Sequence, residues 1–528
     1  MQYALIFVLL LSFVFGLGLI ARRLNVPYPI LFVIGGLLIG FIPIFPSQLR
    51  LEPDLIFFLF LPPLLYIQAF YTSWRDFRLY LRPILLLAIG LVIATTVIVA
   101  YVAHGLIPGL PLAAGFVLGA IISPPDAIAA SAIAQRLGLP RRIVTILEGE
   151  SLVNDATSLV IFKVALGAVG ATASLFGQAW IPGEFIYVSF GGITVGLVIG
   201  IIIGWIRRHI LDAGPQIFLT MSLMTPYLSY LFADQFLHVS GVLAVVATGL
   251  YLGHEAPEAI NSGIRLQAQA VWDIITYLLN GMVFVLIGLQ LPGILHSMKE
   301  HWWPWPFYQA LIISAICIVV RLLWIFPGAY LPRLFQRVRE TEEKPEWRQV
   351  VIVGWSGMRG IVSLAAALTL QGYPDFPRPH LVQFIAFCVI FSTLVLQGLT
   401  LPPLIRFLGV GDDGIPAKEE QQARRRISKA VFAKIDELRE ENKFPASAIA
   451  IIERSHSERS LIFDDPLVEE LGWSDTRHHV LSVRRLSHLV IATQRRALVA
   501  MRREGLIGDD VLHKIERELD LEETRLKT

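Results

Sequence analysis

Apolar stretches of about twenty residues follow one another from the first residues to position 408, and this repetition narrows the possible folds more than any motif does. A stretch of that length crosses the ~30 Å hydrocarbon layer of a bilayer as a helix. No water reaches backbone N–H and C=O groups at that depth, so each stretch must close its own hydrogen bonds. The expected helices lie at roughly 3–22, 28–46, 53–72, 82–107, 111–135, 143–167, 186–206, 215–233, 238–254, 270–290, 305–330, 349–371 and 381–408. Mean hydropathy is +0.63, which excludes an ordinary soluble core. The apolar N-terminus lacks a small-residue cleavage site and reads as a first span, not a removed signal.

Charge divides the chain. Residues 411–528 hold 21 Lys or Arg and 23 Asp or Glu, against 42 charged residues in the preceding 410. A boundary near Gly409–Gly414 follows, with a transmembrane domain at 1–410 and a soluble tail at 411–528. Alternate loops, beginning with the first, carry sixteen Lys or Arg, including Arg22, Arg75, Arg141, Arg207, Arg265 and Arg348. The other loops carry Arg50, Lys299 and Arg378 only. Positive charge marks the cytoplasmic side, so the N-terminus is expected outside and the tail in the cytoplasm. Trp302, Trp303 and Trp305 suit an outer interfacial belt.

Thirteen spans permit two six-helix halves of inverted topology around a linking seventh helix, a plan common among secondary transporters. Spans five and twelve occupy corresponding positions, and both carry helix breakers. The fifth holds Ser123-Pro124-Pro125-Asp126; the twelfth holds Gly354-Trp355-Ser356-Gly357-Met358-Arg359-Gly360. Proline removes backbone donors, and clustered glycine weakens a helix. Matched broken helices point to a binding site at the membrane midplane.

The chemistry gathers on the sixth helix, in Glu150-Ser151-Leu152-Val153-Asn154-Asp155. A charged side chain at membrane depth costs roughly 2.5–3.5 kcal/mol on insertion scales, so carboxylates kept there mark an ion or proton path. Ser151 and Asp155 are i,i+4 and share one face; Glu150 and Asn154 share the adjacent face. Asp126, beside carbonyls freed by the fifth-helix break, can complete an oxygen-rich pocket. Oxygen donors suit a hard cation such as sodium at Asp155, Asp126 and Ser151. Arg359 is the expected counter-charge, paired with Glu150, which leaves Asp155 to titrate. Arg321 is a second intramembrane charge, expected to pair with Asp273 or to snorkel inward. Asn280 is expected to bond between helices, and Lys163 to snorkel outward. Cys317 and Cys388 lie in apolar spans and read as packing residues. No P-loop, CxxC or HExxH pattern occurs, so neither an enzyme nor a resident cofactor is expected.

These residues resemble the sodium/proton exchangers of the cation–proton antiporter superfamily, in the branch with an Asn-Asp pair. The matching pieces are Leu61-Pro62-Pro63-Leu64-Leu65, Ile122-Ser123-Pro124-Pro125-Asp126, Glu150 to Asp155, Val239-Ser240-Gly241-Val242-Leu243-Ala244 and Gly357-Met358-Arg359-Gly360. The resemblance implies that Asp155 binds cation or proton in turn, and that Ser151 and Asp126 line the site. It implies that Asn154 holds the broken helix, that Glu150 and Arg359 form a structural pair, and that exchange is electroneutral. It also implies homodimers in the bacterial inner membrane. One departure stands out: many bacterial relatives place a Glu after Leu-Pro-Pro-Leu-Leu and an aromatic, whereas here Tyr66 is followed by Ile67 and Gln68.

The tail shows two helical apolar stripes. Ile427, Val431, Ile435 and Leu438 form one, ending near Pro445. Val483, Leu486, Val490, Ala497 and Met501 form the other, flanked by Arg484, Arg485, Arg495, Arg496, Arg502 and Arg503. A bundle with a basic face is expected, able to meet anionic lipid or the transporter's own loops. No nucleic-acid partner is expected. The whole reads as an all-helical antiporter exchanging a monovalent cation for a proton. A cation channel and a membrane sensor are its rivals, and potassium is an alternative cargo.

Overall fold

The computed structural model describes residues 2–24, 27–42, 58–170, 181–209, 214–259, 262–298, 303–341, 344–373, 375–411, 414–442, 444–458 and 476–527. Trp302, Arg50, Lys299 and the expected helix ends at 43–46 and 53–57 lie outside the described residues.

The chain forms two units. The first comprises Met1–His209, Thr220–Glu255 and Val271–Asp412. Its helices include α1 (Gln2–Leu24), α2 (Tyr28–Gly40), α3 (Leu61–Tyr71), α4 (Leu81–Leu106), α5 (Leu112–Ile122), α6 (Ala127–Arg136), α7 (Arg141–Gly170) and α8 (Ile181–His209). Then follow α9 (Pro215–Leu231), α10 (Gly241–Ala259), α11 (Ser262–Ser297), α12 (Trp305–Tyr330), α13 (Trp347–Trp355), α14 (Ile361–Thr369) and α15 (Pro379–Leu408), of which residues 215–219 of α9, 256–259 of α10 and 262–270 of α11 fall in the second unit. Six described helices are long and apolar enough to cross a membrane: α4, α7, α8, α11, α12 and α15. Helical elements occupy every segment that hydropathy predicts, and two of those segments are divided.

The divisions fall at the predicted breakers. The segment expected at 111–135 is α5 and α6, separated by residues 123–126. Pro124 and Pro125 have no N–H to donate, so the ladder cannot continue through them. The segment expected at 349–371 is α13 and α14, separated by residues 356–360. Around these breaks the helices pack closely. Gly115 and Gly119 of α5 lie against the Ala100 and Thr96 carbonyls of α4, and a Cβ on either would stand 2.6 or 2.5 Å from the oxygen. Small residues at i,i+4 are what such a close backbone approach requires. Apolar side chains on α8, such as Phe190, Ile201 and Trp205, are more than half exposed, a surface suited to lipid.

The second unit holds α16 (Ile415–Glu440), α17 (Ala446–Glu458), α18 (Thr476–Arg503) and α19 (Asp509–Lys527), together with Ile210–Leu219 and Ala256–Ala270. Both apolar stripes enter one core: Ile427, Val431, Ile435 and Leu438 meet Leu486, Val490 and Met501, with Ala497 at the margin. The basic residues of α18 are less available than their sequence pattern implies. Arg495 pairs with Asp520 at 2.7 Å and Glu523 at 2.9 Å, and Arg502 with Asp509 at 2.7 Å. The unit extends beyond the expected 411–528 because Arg265 pairs with Glu516 and Asp520 of α19, both at 2.7 Å.

Candidate ion-binding site

The two breaks meet. Pro125 and Arg359 form an antiparallel bridge, and the Asp126 N–H donates to the Met358 carbonyl at 2.6 Å. Each interruption thus satisfies peptide groups that the other leaves without a helical partner. Asn154, on the intact α7, donates its amide to the Pro125 carbonyl at 2.8 Å. A buried carbonyl without a partner costs about 1–3 kcal/mol, so this bond helps stabilise the break.

Asp126 uses its two oxygens differently. Oδ1 accepts from the Ile128 N–H at 2.8 Å and caps α6. Oδ2 is buried with no partner. Ser151 Oγ accepts from the Ala127 N–H at 3.4 Å, so α7 also holds the start of α6. Asp155 lies one turn further along α7 and is 8% exposed. Its carboxylate makes no hydrogen bond or ion pair with the described residues.

Asp126, Ser151 and Asp155 face one cavity of about 20 Å³, whose wall also includes Gln68, Gly360 and Ser363. That volume holds about one water. Leu61, Leu64 and Leu65 of α3 close it on an apolar side. The first turns of α6 and α14 both line it, through Ile128 and through Ile361 to Ser363. Helix N-termini carry partial positive charge, which eases the presence of two carboxylates. Gly360 is a steric necessity here, because a Cβ on it would overlap the Asp126 carboxylate.

The structural ion pair differs from the sequence expectation. Glu150 pairs with Arg321, not Arg359: Oε1 and Oε2 receive the two terminal guanidinium nitrogens at 2.5 and 2.8 Å. Both residues are 1% exposed. Arg321 also donates to the carbonyls of Val353 at 3.1 Å and Gly354 at 3.2 Å, near the end of α13. It pairs with neither Asp273 nor solvent. Arg359 sits within the break, where its guanidinium donates to the Ser123 carbonyl. Its own N–H donates to Thr393 Oγ1 at 3.2 Å. Arg321 wins the carboxylate because it stands on the uninterrupted α12, whereas the extended link directs Arg359 to backbone.

Other expected residues lie apart from the cavity. Asn280 is 4% exposed, and its Oδ1 has no partner. Lys163 pairs with Asp234 at 3.2 Å. Cys317 and Cys388 are free thiols. Two cavity residues, Gln68 and Ser363, were missing from the expected site. Gln68 was visible only as the neighbour of the missing Glu. The signal for Ser363 was its place three residues after the second break.

An all-helical unit in which two interrupted helices cross beside buried carboxylates is the architecture of a secondary cation transporter. Comparison with known proteins gives the same class. The family model described as "Sodium/hydrogen exchanger, transmembrane" matches residues 9–407. An uncharacterized Na(+)/H(+) exchanger of Mycobacterium tuberculosis is 36% identical over 519 residues, covering 96% of this chain and 93% of the relative. A sodium, potassium, lithium and rubidium/H(+) antiporter of Bacillus subtilis is 33% identical over 458 residues, covering 83% of this chain and 66% of the relative. The sodium proton antiporter MjNhaP1 of Methanocaldococcus jannaschii has the same fold, with a TM-score of 0.61 at 22% identity, over 78% of this chain and 100% of that one. This chain belongs to the sodium/hydrogen exchanger family and is a monovalent cation/proton antiporter.

Proposed function

We propose that the chain exchanges sodium for protons by competition at Asp155, with Asp126 and Ser151 completing the site. The supporting observation is a buried carboxylate without a protein partner, facing a cavity of about 20 Å³. In one step the protonated Asp155 releases H⁺ and its carboxylate binds Na⁺; the reverse step occurs when the site opens to the other side. Only one occupant is held at a time, so alternating access couples the two fluxes without a further device. One proton against one monovalent cation makes the cycle electroneutral. Glu150 with Arg321, and Asn154 with the Pro125 carbonyl, hold the frame. Potassium is a second cargo, favoured by the name of the Bacillus subtilis relative.

The transport domain spans residues 1–410, with the N-terminus outside, and 411–528 form a cytoplasmic regulatory tail. The assembly is a homodimer in the bacterial inner membrane. The test uses purified protein in vesicles, following internal pH while each cation is added. Sodium should drive proton movement in the parent, and Asp155→Asn should abolish it while the protein still inserts and purifies. Near-normal exchange in Asp155→Asn would remove the competition mechanism.

A further inference from the structure

Many buried hydroxyls on helices in this protein donate to a carbonyl four residues back, although Thr95 and Thr96 of α4 have no partner. Ser314 donates to Ala310 at 2.7 Å, Ser356 to Ile352 at 2.7 Å and Thr393 to Val389 at 2.8 Å. This local bond satisfies the hydroxyl and removes it from other chemistry. Ser363 is the third residue of α14, 1% exposed, and its Oγ has no partner. The reason lies in the chain. Counting back four residues reaches Arg359, which is in the extended link and bridged to Pro125. The break that lets the two helices cross therefore removes the acceptor that a serine here would ordinarily use.

An orphaned buried hydroxyl costs about 1–3 kcal/mol and needs a reason to persist. The reason is on the same wall. Ser363 lines the cavity with Asp126, whose Oδ2 is also buried and unpartnered, and with Asp155. Asp126 Oδ2, Ser363 Oγ and the Asp155 carboxylate thus converge on a space of about 20 Å³, an oxygen-rich wall of the kind a bare cation takes. A hydroxyl presents lone pairs to a bare cation at no charge cost.

We propose that Ser363 is a ligand of the transported cation, a neutral oxygen donor that tightens sodium binding and sets the preference among alkali cations. Gln68, on the same wall, offers a second neutral oxygen. The assignment rests on cation binding at Asp155 and adds to it a residue on the other broken helix, so that both interrupted elements touch the ion.

The experiment measures sodium-dependent melting of the purified protein and sodium-driven exchange in vesicles, for the parent, Ser363→Ala and Ser363→Thr. Ser363→Ala should raise the sodium KM roughly tenfold, as expected for losing one contact to a charge. At saturating sodium its maximal rate should stay near the parent's, and its melting temperature without sodium should be equal or higher, since an unsatisfied buried hydroxyl is removed. The sodium-induced melting shift should shrink in step, and the sodium-to-potassium ratio should fall. Ser363→Thr keeps the hydroxyl and should keep most of the affinity. A parent-like KM and melting shift in Ser363→Ala overturn the ligand assignment while leaving antiport intact. A lower melting temperature with unchanged KM does the same, by showing a packing role. A parent that neither exchanges nor melts higher with sodium overturns the sodium reading and this assignment together.

Discussion

Glu150 and Arg321 form a two-pronged ion pair with contacts of 2.5 and 2.8 Å, and Arg321 also bonds two carbonyls near the end of α13. One guanidinium thus neutralises α7 and terminates a half-helix. Removing one member of a buried pair leaves an uncompensated charge, at about 3–5 kcal/mol. Glu150→Gln and Arg321→Ala should both melt far below the parent and below Asp155→Asn. Arg321→Lys should recover only part of the loss, because an ammonium cannot bond in the planar fork. Parent-like melting of both single variants would contradict the pairing.

Gly360→Ala should abolish or strongly reduce exchange through sterics alone. The added methyl would overlap the Asp126 carboxylate and displace an oxygen from the cavity. Gly105→Ala serves as the control, since nothing lies within 4 Å of a Cβ there. Comparing cation-driven pH change for the two variants checks this, and equal rates would contradict it.

The exchange rate should not respond to a clamped membrane potential. A net charge moved per cycle would feel about 2.3 kcal/mol for each 100 mV. With one carboxylate exchanging one proton for one cation, no net charge crosses. A rate that changes with potential would mean that Asp126 also titrates during transport.

Acid should weaken the tail through Glu420. Hydrogen bonds from Lys514 and Arg424 hold its carboxyl below the ordinary value of 4.5. A depressed folded value means that the stabilisation is present above 4.5 and is lost as pH falls through the lower folded value. The pair is near the surface, so the effect is modest and weakens with salt. The protection factors of α16 and α19 amides in the full chain, taken relative to intrinsic exchange at each pH, should fall on acidification at low salt. Lys514→Gln should flatten that dependence, and identical profiles would count against it.

The helical segments and both interruptions were legible in the sequence because hydropathy and proline act locally. Ser151 with Asp155, and Glu150 with Asn154, could be placed on two adjacent faces because i,i+4 spacing fixes a face on an unbroken helix, and Asp126 was drawn in by the break beside it. The partner of Glu150 was not. Choosing between Arg321 and Arg359 depends on which helix passes beside α7 and on where an extended link aims its side chain, and neither is a local property. Ser363 was missed for a related reason. A serine in an apolar helix ordinarily bonds its own backbone, and only the geometry of the break shows that this one cannot. The second unit reached back to Arg265 because charge composition marks a tail but not the loop residues its carboxylates select.

The main-chain hydrogen bond from the Asp126 N–H to the Met358 carbonyl has a mechanical consequence. The two interruptions are pinned through main chain, so the crossing is one part, not two hinges. Displacing either half-helix carries the other, and Asp126 contributes both a pin and an oxygen. Bending at either break would have to give up this bond, whereas moving the crossing as one block past its neighbours would keep it.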